Sequence, residues 1–196
     1  MDTAFDILQA LGIAAAIGIR PFLPTLLVGA LAAGNLGIDF DGTDWSFLES
    51  PAFLAVTLVL LVLFDVVRRR TGDEGLETTP GAIVAGFLAA VFGGLLGAGS
   101  VADHGGPVVV GLILGVVVAP LVLIAISPLF TRVRARLDKG AAALLPIYRE
   151  FAALVAAGLS VLFPPLAVLV LGVVAWLGAG GRRREGEKYA GLRILK

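Results

Sequence analysis

Five long apolar blocks, separated by short stretches that hold most of the charges, constrain the fold of this chain more than any other feature. Of its 196 residues, 58% are hydrophobic and 15% are charged, and the mean hydropathy is +0.99. Soluble domains are about 45–50% apolar and about 25% charged. A soluble helix also needs a polar face, which several blocks lack. The sequence therefore predicts an all-α, polytopic membrane helix bundle.

The composition argues against several kinds of site. The net charge is zero, so no basic excess favours nucleic acid. Cysteine is absent and His104 is the single histidine, which leaves no thiolate site and little basis for a histidine metal site or triad. The acidic segment 39–45, DFDGTDW, lacks the bidentate Glu of a calcium loop. We therefore predict no enzyme, no metal and no cofactor.

Block lengths predict six spans in a single transmembrane domain, residues 1–181, followed by a basic cytoplasmic tail, residues 182–196. A crossing helix needs about 20 residues. The last block is about twice that length, and Pro164-Pro165 divides it because neither proline donates a backbone hydrogen bond. The predicted spans are residues 5–36, 51–67, 81–99, 107–130, 145–163 and 166–180.

Basic residues predict the orientation of the spans, because cytoplasmic loops are rich in Lys and Arg. Of the 15 Lys and Arg, three follow the second span, four follow the fourth and six lie in the tail. The loops after the first and third spans contain acids and no Lys or Arg. Six spans with both termini in the cytoplasm satisfy every loop. The N-terminus has no basic residue and does not resemble a cleaved signal peptide.

The first block is too long for one straight crossing and contains GIRPFLP, residues 18–24. Pro21 and Pro24 lack a backbone N–H, so they interrupt a helix. The block is a tilted helix, a broken helix, or a re-entrant hairpin that turns at Arg20-Pro21 and moves the N-terminus outside. We predict the helix broken at Arg20-Pro21.

Arg20 is the most informative charge, because an arginine near the bilayer centre costs at least about 2.5–3.5 kcal/mol. It should face the protein interior. A half-helix that starts near Pro21 would aim its positive end at the space beside Arg20, an arrangement that transporters with discontinuous helices use to bind anions. The alternatives are that Arg20 pairs with Asp65 or Glu150 and pins two spans together, or that it lies at the interface in a hairpin. Glu150 itself is predicted to be interfacial, or else to carry a proton.

Two patterns describe how the spans relate. Gly93 with Gly97, and Gly111 with Gly115, form G-x-x-x-G pairs that let helix backbones approach closely in lipid. A candidate inverted repeat of three plus three spans rests on the similarity of residues 10–24 to residues 113–128. Another similarity, between residues 22–29 and 163–170, competes with it.

GIRPFLP and the C-terminal EKYAGLRILK resemble a bacterial integral membrane family classified as a domain of unknown function. That family is similar in its N-terminal G-x-R-P-F-x-P element, its Gly/Ala-rich spans and its tail K-Y-x-G-L-R. The resemblance covers nearly the whole chain. It implies a multi-pass protein of the bacterial cytoplasmic membrane and brings no activity with it.

These observations lead to two hypotheses of function. The first is a small transporter or flippase-like carrier that binds an anionic solute or lipid headgroup in the membrane. Its candidate site residues are Arg20, Pro21, Pro24, Asp65 and Glu150. The alternative is a non-catalytic scaffold or partner-binding subunit in which Arg20 forms a structural ion pair. Membrane lipids are the expected partners, a homo-oligomer is compatible with the sequence, and no nucleic acid partner is expected.

Overall fold

The structure, a computed structural model, describes residues 3–77 and 79–176, and within them it contains helices and turns but no strand. The all-α prediction is therefore confirmed. The whole of the predicted basic tail, residues 182–196, and the end of the sixth predicted span lie outside the described residues. The helices are α1 (Thr3–Ile19), α2 (Phe22–Ala33), α3 (Pro51–Glu77), α4 (Thr79–Ala102), α5 (Val108–Arg134), α6 (Lys139–Leu162) and α7 (Pro164–Trp176).

Helix length and composition identify a membrane protein. Three helical segments, Gly81–Ala102, Val108–Arg134 and Gly140–Leu162, are long and apolar enough to cross a bilayer. Four further apolar helical segments are shorter: Ala4–Ile19, Phe22–Ala33, Pro51–Val67 and Pro164–Trp176. The count of six spans stays a prediction, and so does the inverted repeat.

α1 is the central helix of the bundle. Every residue from Gly12 to Ile19 is buried, and the helix packs against α4, α5 and α6. Small residues make this close packing feasible: Gly12 abuts Ser160 of α6, and Gly18 abuts the carbonyl of Ala119 in α5. An apolar helix surrounded by other helices needs no polar face, which is why the first block lacks one.

The chain reverses direction at the predicted break. α1 ends at Ile19 and α2 begins at Phe22, yet Nε2 of Gln9 donates a hydrogen bond to the carbonyl of Gly37 at 2.9 Å. A broken but continuing helix would hold these two residues about 40 Å apart. The prediction of a broken crossing is therefore wrong, and α1 and α2 form the re-entrant hairpin that the sequence left as an alternative.

The reversal also affects the predicted side of the membrane on which α1 starts. The tip of the hairpin is Arg20-Pro21. The start of α1 and the end of α2 lie together with residues 37–50 and 103–107, and we call this end of the bundle the base end. The sequence predicted the N-terminus and the loop after the first block on opposite sides of the membrane. These two predictions cannot both hold, because the start of α1 and that loop share the base end.

The proline pair interrupts the helix at the end of α6, as predicted. α6 ends at Leu162, Phe163 has a non-helical backbone (φ −139°, ψ 74°), and a 3-10 turn, Pro164–Leu166, starts α7. Val161, one residue before the end of α6, accepts a hydrogen bond from Gln9. The interruption therefore lies at the base end.

The predicted G-x-x-x-G pairs form the closest helix contact described in the bundle, between α4 and α5. A Cβ atom on Gly97 would lie 2.5 Å from the carbonyl oxygen of Gly111, and one on Gly93 would lie 2.6 Å from that of Gly115. The contact is backbone against backbone, so no side chain can move aside to make room.

We expect Gly97→Ala to lower the stability of the protein, because the new methyl group forces the two backbones apart at a cost of about 1–3 kcal/mol. Gly86→Ala is a matched control on the same helix, where a Cβ atom meets nothing within 4 Å. Thermal unfolding in detergent should show a lower Tm for Gly97→Ala and an unchanged or higher Tm for Gly86→Ala. Equal effects of the two changes would contradict the close contact.

Candidate functional site

The hairpin tip carries a charged cluster. Nε of Arg20 lies 3.5 Å from Oε1 of Glu150 on α6, and the two side chains are 13% and 24% exposed. Asp65 of α3 lies beside them. Together they line a small cavity, the tip cavity, whose full lining is Arg20, Pro21, Phe22, Leu23, Leu61, Phe64, Asp65 and Glu150. Four of the five predicted site residues are thus brought together.

The tip cavity is small. Its volume is about 10 Å³, which is close to the space that one water molecule needs. The first turn of α2 faces it through Phe22 and Leu23, and helix N-termini favour negative charge. The carboxylates of Glu150 and Asp65 supply that charge from within the protein. Glu150 therefore occupies the position in which the sequence predicted a bound anion.

The remaining predicted site residue, Pro24, lies outside the tip cavity. It is fully buried in the first turn of α2. It contributes to the fold there, because its missing N–H falls where a helix has no internal acceptor for it.

Arg149 is a member of the tip cluster that the sequence analysis did not select. Its Nε donates a hydrogen bond to the carbonyl of Ile19 at 2.9 Å, and its guanidinium lies 4.9 Å from the ring centroid of Phe130. Ile19 ends α1, so Arg149 satisfies a carbonyl that the helix itself leaves open. A cation also suits the negative end of a helix.

The predicted interfacial position of Glu150 stays a prediction, although α6 extends on both sides of the residue. Glu150 is separated from the end of α6 at Leu162 by about 18 Å of helix, and a similar length of α6 lies on its other side. The residue pairs with Arg20 at 3.5 Å, and its side chain is partly buried. Sequence spacing placed Glu150 near the start of its apolar block, but α6 begins earlier than predicted, at Lys139.

A second and larger cavity opens at the base end. This base cavity has a volume of about 360 Å³, within the range of small-molecule sites. Its lining combines polar and apolar side chains from α1, α6 and the two loops of the base end. The residues are Phe5, Asp6, Gln9, Asn35, Gly37, Ile38, Asp39, Asp103, His104, Val161, Leu162 and Pro164.

Gln9 fixes the geometry of the base cavity. Its Nε2 donates to the carbonyls of Gly37 at 2.9 Å and Val161 at 3.1 Å, and its Oε1 accepts from Oγ of Ser100 at 2.9 Å. One side chain thus joins α1 to the loop after α2, to α6 and to α4. The sequence signal was the one Gln of the chain, inside an apolar block.

Two carboxylates of the base cavity face the same imidazole nitrogen. Nδ1 of His104 lies 3.3 Å from Oδ1 of Asp6 and 3.5 Å from Oδ2 of Asp103. Asp6 is buried, with a side chain only 4% exposed. Oδ2 of Asp103 also accepts a hydrogen bond from the backbone N–H of Asp39 at 3.2 Å.

Burial affects the carboxyl groups of the base-end loops. It raises the pKa of Asp103 above the ordinary value, and the nearby charges of Asp39 and Asp6 raise it further, against the lowering effects of the Asp39 N–H and His104. Burial also raises the pKa of Glu49, with Asp41 and Asp39 adding to the effect. These groups are held where negative charge is costly.

Three acidic side chains of the loop after α2 lie close together. Carboxylate oxygens of Asp39, Asp41 and Glu49 are within 4.8 Å of one another, and carboxylates are ligands that Ca²⁺ accepts. Two of these groups also receive hydrogen bonds from loop N–H groups. Acidic side chains alone do not define a metal site, and we assign no ion to them.

No protein-family model, curated protein or solved structure matches this chain. The resemblance to a bacterial membrane family therefore stays a prediction. The two cavities and the hairpin between them are the features of the structure that bear on function.

Proposed function

We propose that the protein is a small membrane carrier, in which the α1–α2 hairpin separates the base cavity from the opposite half of the bundle. The observation that carries this proposal is the position of the charged tip. Arg20, Asp65 and Glu150 lie where the helices around them continue in both directions. Charged residues inside a membrane protein are costly and generally serve function.

The proposed route of a solute begins at the base cavity and ends at the tip cavity. In this conformation the base cavity has a volume of about 360 Å³, whereas the tip cavity, at about 10 Å³, has space for about one water molecule. The Arg20–Glu150 pair then acts as the closed contact between the hairpin and α6. Opening that contact would release the solute to the far half of the bundle, as alternating access requires.

The charges bear on the solute class. An anionic solute or lipid headgroup, as the sequence suggested, would have to displace Glu150 from Arg20 and to enter past Asp6, Asp39 and Asp103. The acids of the base end therefore favour a positively charged solute over an anion.

We also propose an orientation in the bacterial cytoplasmic membrane, with the base end outside. The loops of that end carry acids and no Lys or Arg, whereas three arginines lie in residues 68–70 and four basic residues in residues 132–139. Basic loops favour the cytoplasm. The start of α1 is then outside, and the tail, residues 182–196, is cytoplasmic.

The second candidate function, a membrane scaffold, is favoured by the Arg20–Glu150 pair itself. Two helices pinned by an ion pair around a cavity of about 10 Å³ need no solute. The scaffold and the carrier differ in whether the tip cavity ever opens to water.

The absence of cysteine allows a direct test with single-cysteine variants and a membrane-impermeant maleimide. We expect Leu23→Cys, which lines the tip cavity, to react when reagent is applied from either side of the membrane, because the carrier alternates. Val28→Cys on the same helix is fully buried and should not react. Asp41→Cys in the exposed loop should react from one side only. Labelling of Leu23→Cys from one side only, or from neither, would favour the scaffold and contradict the carrier.

A further inference from the structure

We propose that the base cavity binds a small organic cation, an ammonium group that carries a short apolar body. The proposal rests on three features of the cavity: a lining with three Asp and no Lys or Arg, its buried carboxylate and its apolar wall. The proposal specifies the solute class of the proposed carrier. It rests on the carrier function only for transport of the bound solute and not for binding itself.

Among the residues that the structure describes, the base end carries no Lys or Arg. The sequence has no Lys or Arg in residues 21–67, 71–131 or 150–181. Arg20 lies at the hairpin tip, at the other end of α1. The cavity nevertheless collects the carboxyl groups of Asp6, Asp39 and Asp103. The potential inside it is therefore negative, which attracts a cation from solution.

Asp6 gives the charge a defined position. Its side chain is 4% exposed, and its oxygen lies 3.3 Å from Nδ1 of His104. That same nitrogen lies 3.5 Å from Asp103. A ring nitrogen carries at most one hydrogen, so two carboxylates share one donor. Charged groups are costly to bury unless they are paired, and a bound ammonium would add a second partner for Asp6 beside His104.

The apolar wall selects an organic cation over a bare metal ion. Ile38, Val161, Leu162 and Pro164 offer no oxygen ligand from their side chains, and metal ions such as Ca²⁺ need six to eight oxygens. These residues instead provide a surface for methyl or methylene groups. Phe5 adds an aromatic ring, the group that recognises quaternary ammonium.

Binding can be measured on the purified full-length protein in detergent. We expect tetramethylammonium chloride to bind saturably in calorimetry and to raise the Tm, compared with sodium chloride at the same ionic strength. Asp6→Asn should weaken the affinity about thirtyfold or more, because it removes a buried charge partner. Asp44→Asn is the matched control: Asp44 is exposed in the same loop region and does not line the cavity, so its affinity should be unchanged.

Two further variants keep the test decisive if Asp6→Asn does not fold. Asp103→Asn should also weaken binding, and Phe5→Leu should weaken it about two- to fivefold by removing the ring. Equal responses to sodium and tetramethylammonium would overturn the proposal, as would equal losses in Asp44→Asn and Asp103→Asn. Binding that persists while Leu23→Cys labels from one side only would uphold this site and reject the carrier.

Discussion

Arg20→Ala is expected to lower the free energy of unfolding by about 3–5 kcal/mol, the usual cost of breaking a buried ion pair from one side. The variant leaves Glu150 without the guanidinium that lies 3.5 Å away, in a region where water has little access. Thermal or denaturant unfolding in detergent measures the loss. Arg136→Ala, at an exposed arginine beyond the end of α5, is the control and should change stability by less than about 0.5 kcal/mol.

Three further variants separate the charge of Arg20 from its function. Glu150→Gln should also destabilise, whereas the double change Arg20→Met with Glu150→Leu should recover much of the stability, because a buried pair can be replaced by apolar side chains. Arg20→Lys keeps the charge, so it should fold, but it lacks the planar group of arginine and should impair a carrier. Full stability of Arg20→Ala would contradict the ion pair.

The sequence predicted the helices well because their signal is local. The apolar blocks are helical in the described residues, and the first and last blocks are each divided into two helices at the predicted proline sites, Pro21 and Pro164. The close contact between the glycines of α4 and α5 was also predictable, since a backbone contact in lipid requires residues without side chains at a fixed spacing.

The direction of the chain after the break was not readable from the sequence. Arg20 and Pro21 indicate that the helix ends. They do not indicate whether the next helix continues in the same direction or runs antiparallel to α1. The return is fixed by hydrogen bonds from Gln9 to Gly37 and Val161, which are 28 and 152 positions away. Only the folded structure brings those carbonyls together.

The partners of the charged residues were only partly predictable for the same reason. Asp65 and Glu150 were both candidates for Arg20, and spacing could not choose between them. The base cavity went unpredicted, because Asp6 and His104 lie 98 positions apart and each has an ordinary local context. Polar residues inside apolar blocks, Asp6 and Gln9 here, were the available signal.

Gln9→Leu is expected to destabilise the protein by about 2–4 kcal/mol, because it leaves up to three polar groups without a partner, at about 1–3 kcal/mol for each that stays buried. Leucine has a similar size but cannot bond to the carbonyls of Gly37 and Val161, or to the hydroxyl of Ser100. Unfolding in detergent gives the size of the loss. Ser127→Ala is a suitable control, because its hydroxyl bonds only to the carbonyl of Leu123 within its own helix.

The same variant should also alter the hairpin, and this effect distinguishes Gln9 from an ordinary buried polar residue. Without the bonds from Gln9, the start of α1 loses its connection to the ends of α2 and α6. A cysteine placed at Ala14, a fully buried position in α1, should therefore become reactive to maleimide in the Gln9→Leu background and stay unreactive in the Ser127→Ala background. Unchanged stability together with an unreactive Ala14→Cys would mean that apolar packing alone closes the hairpin.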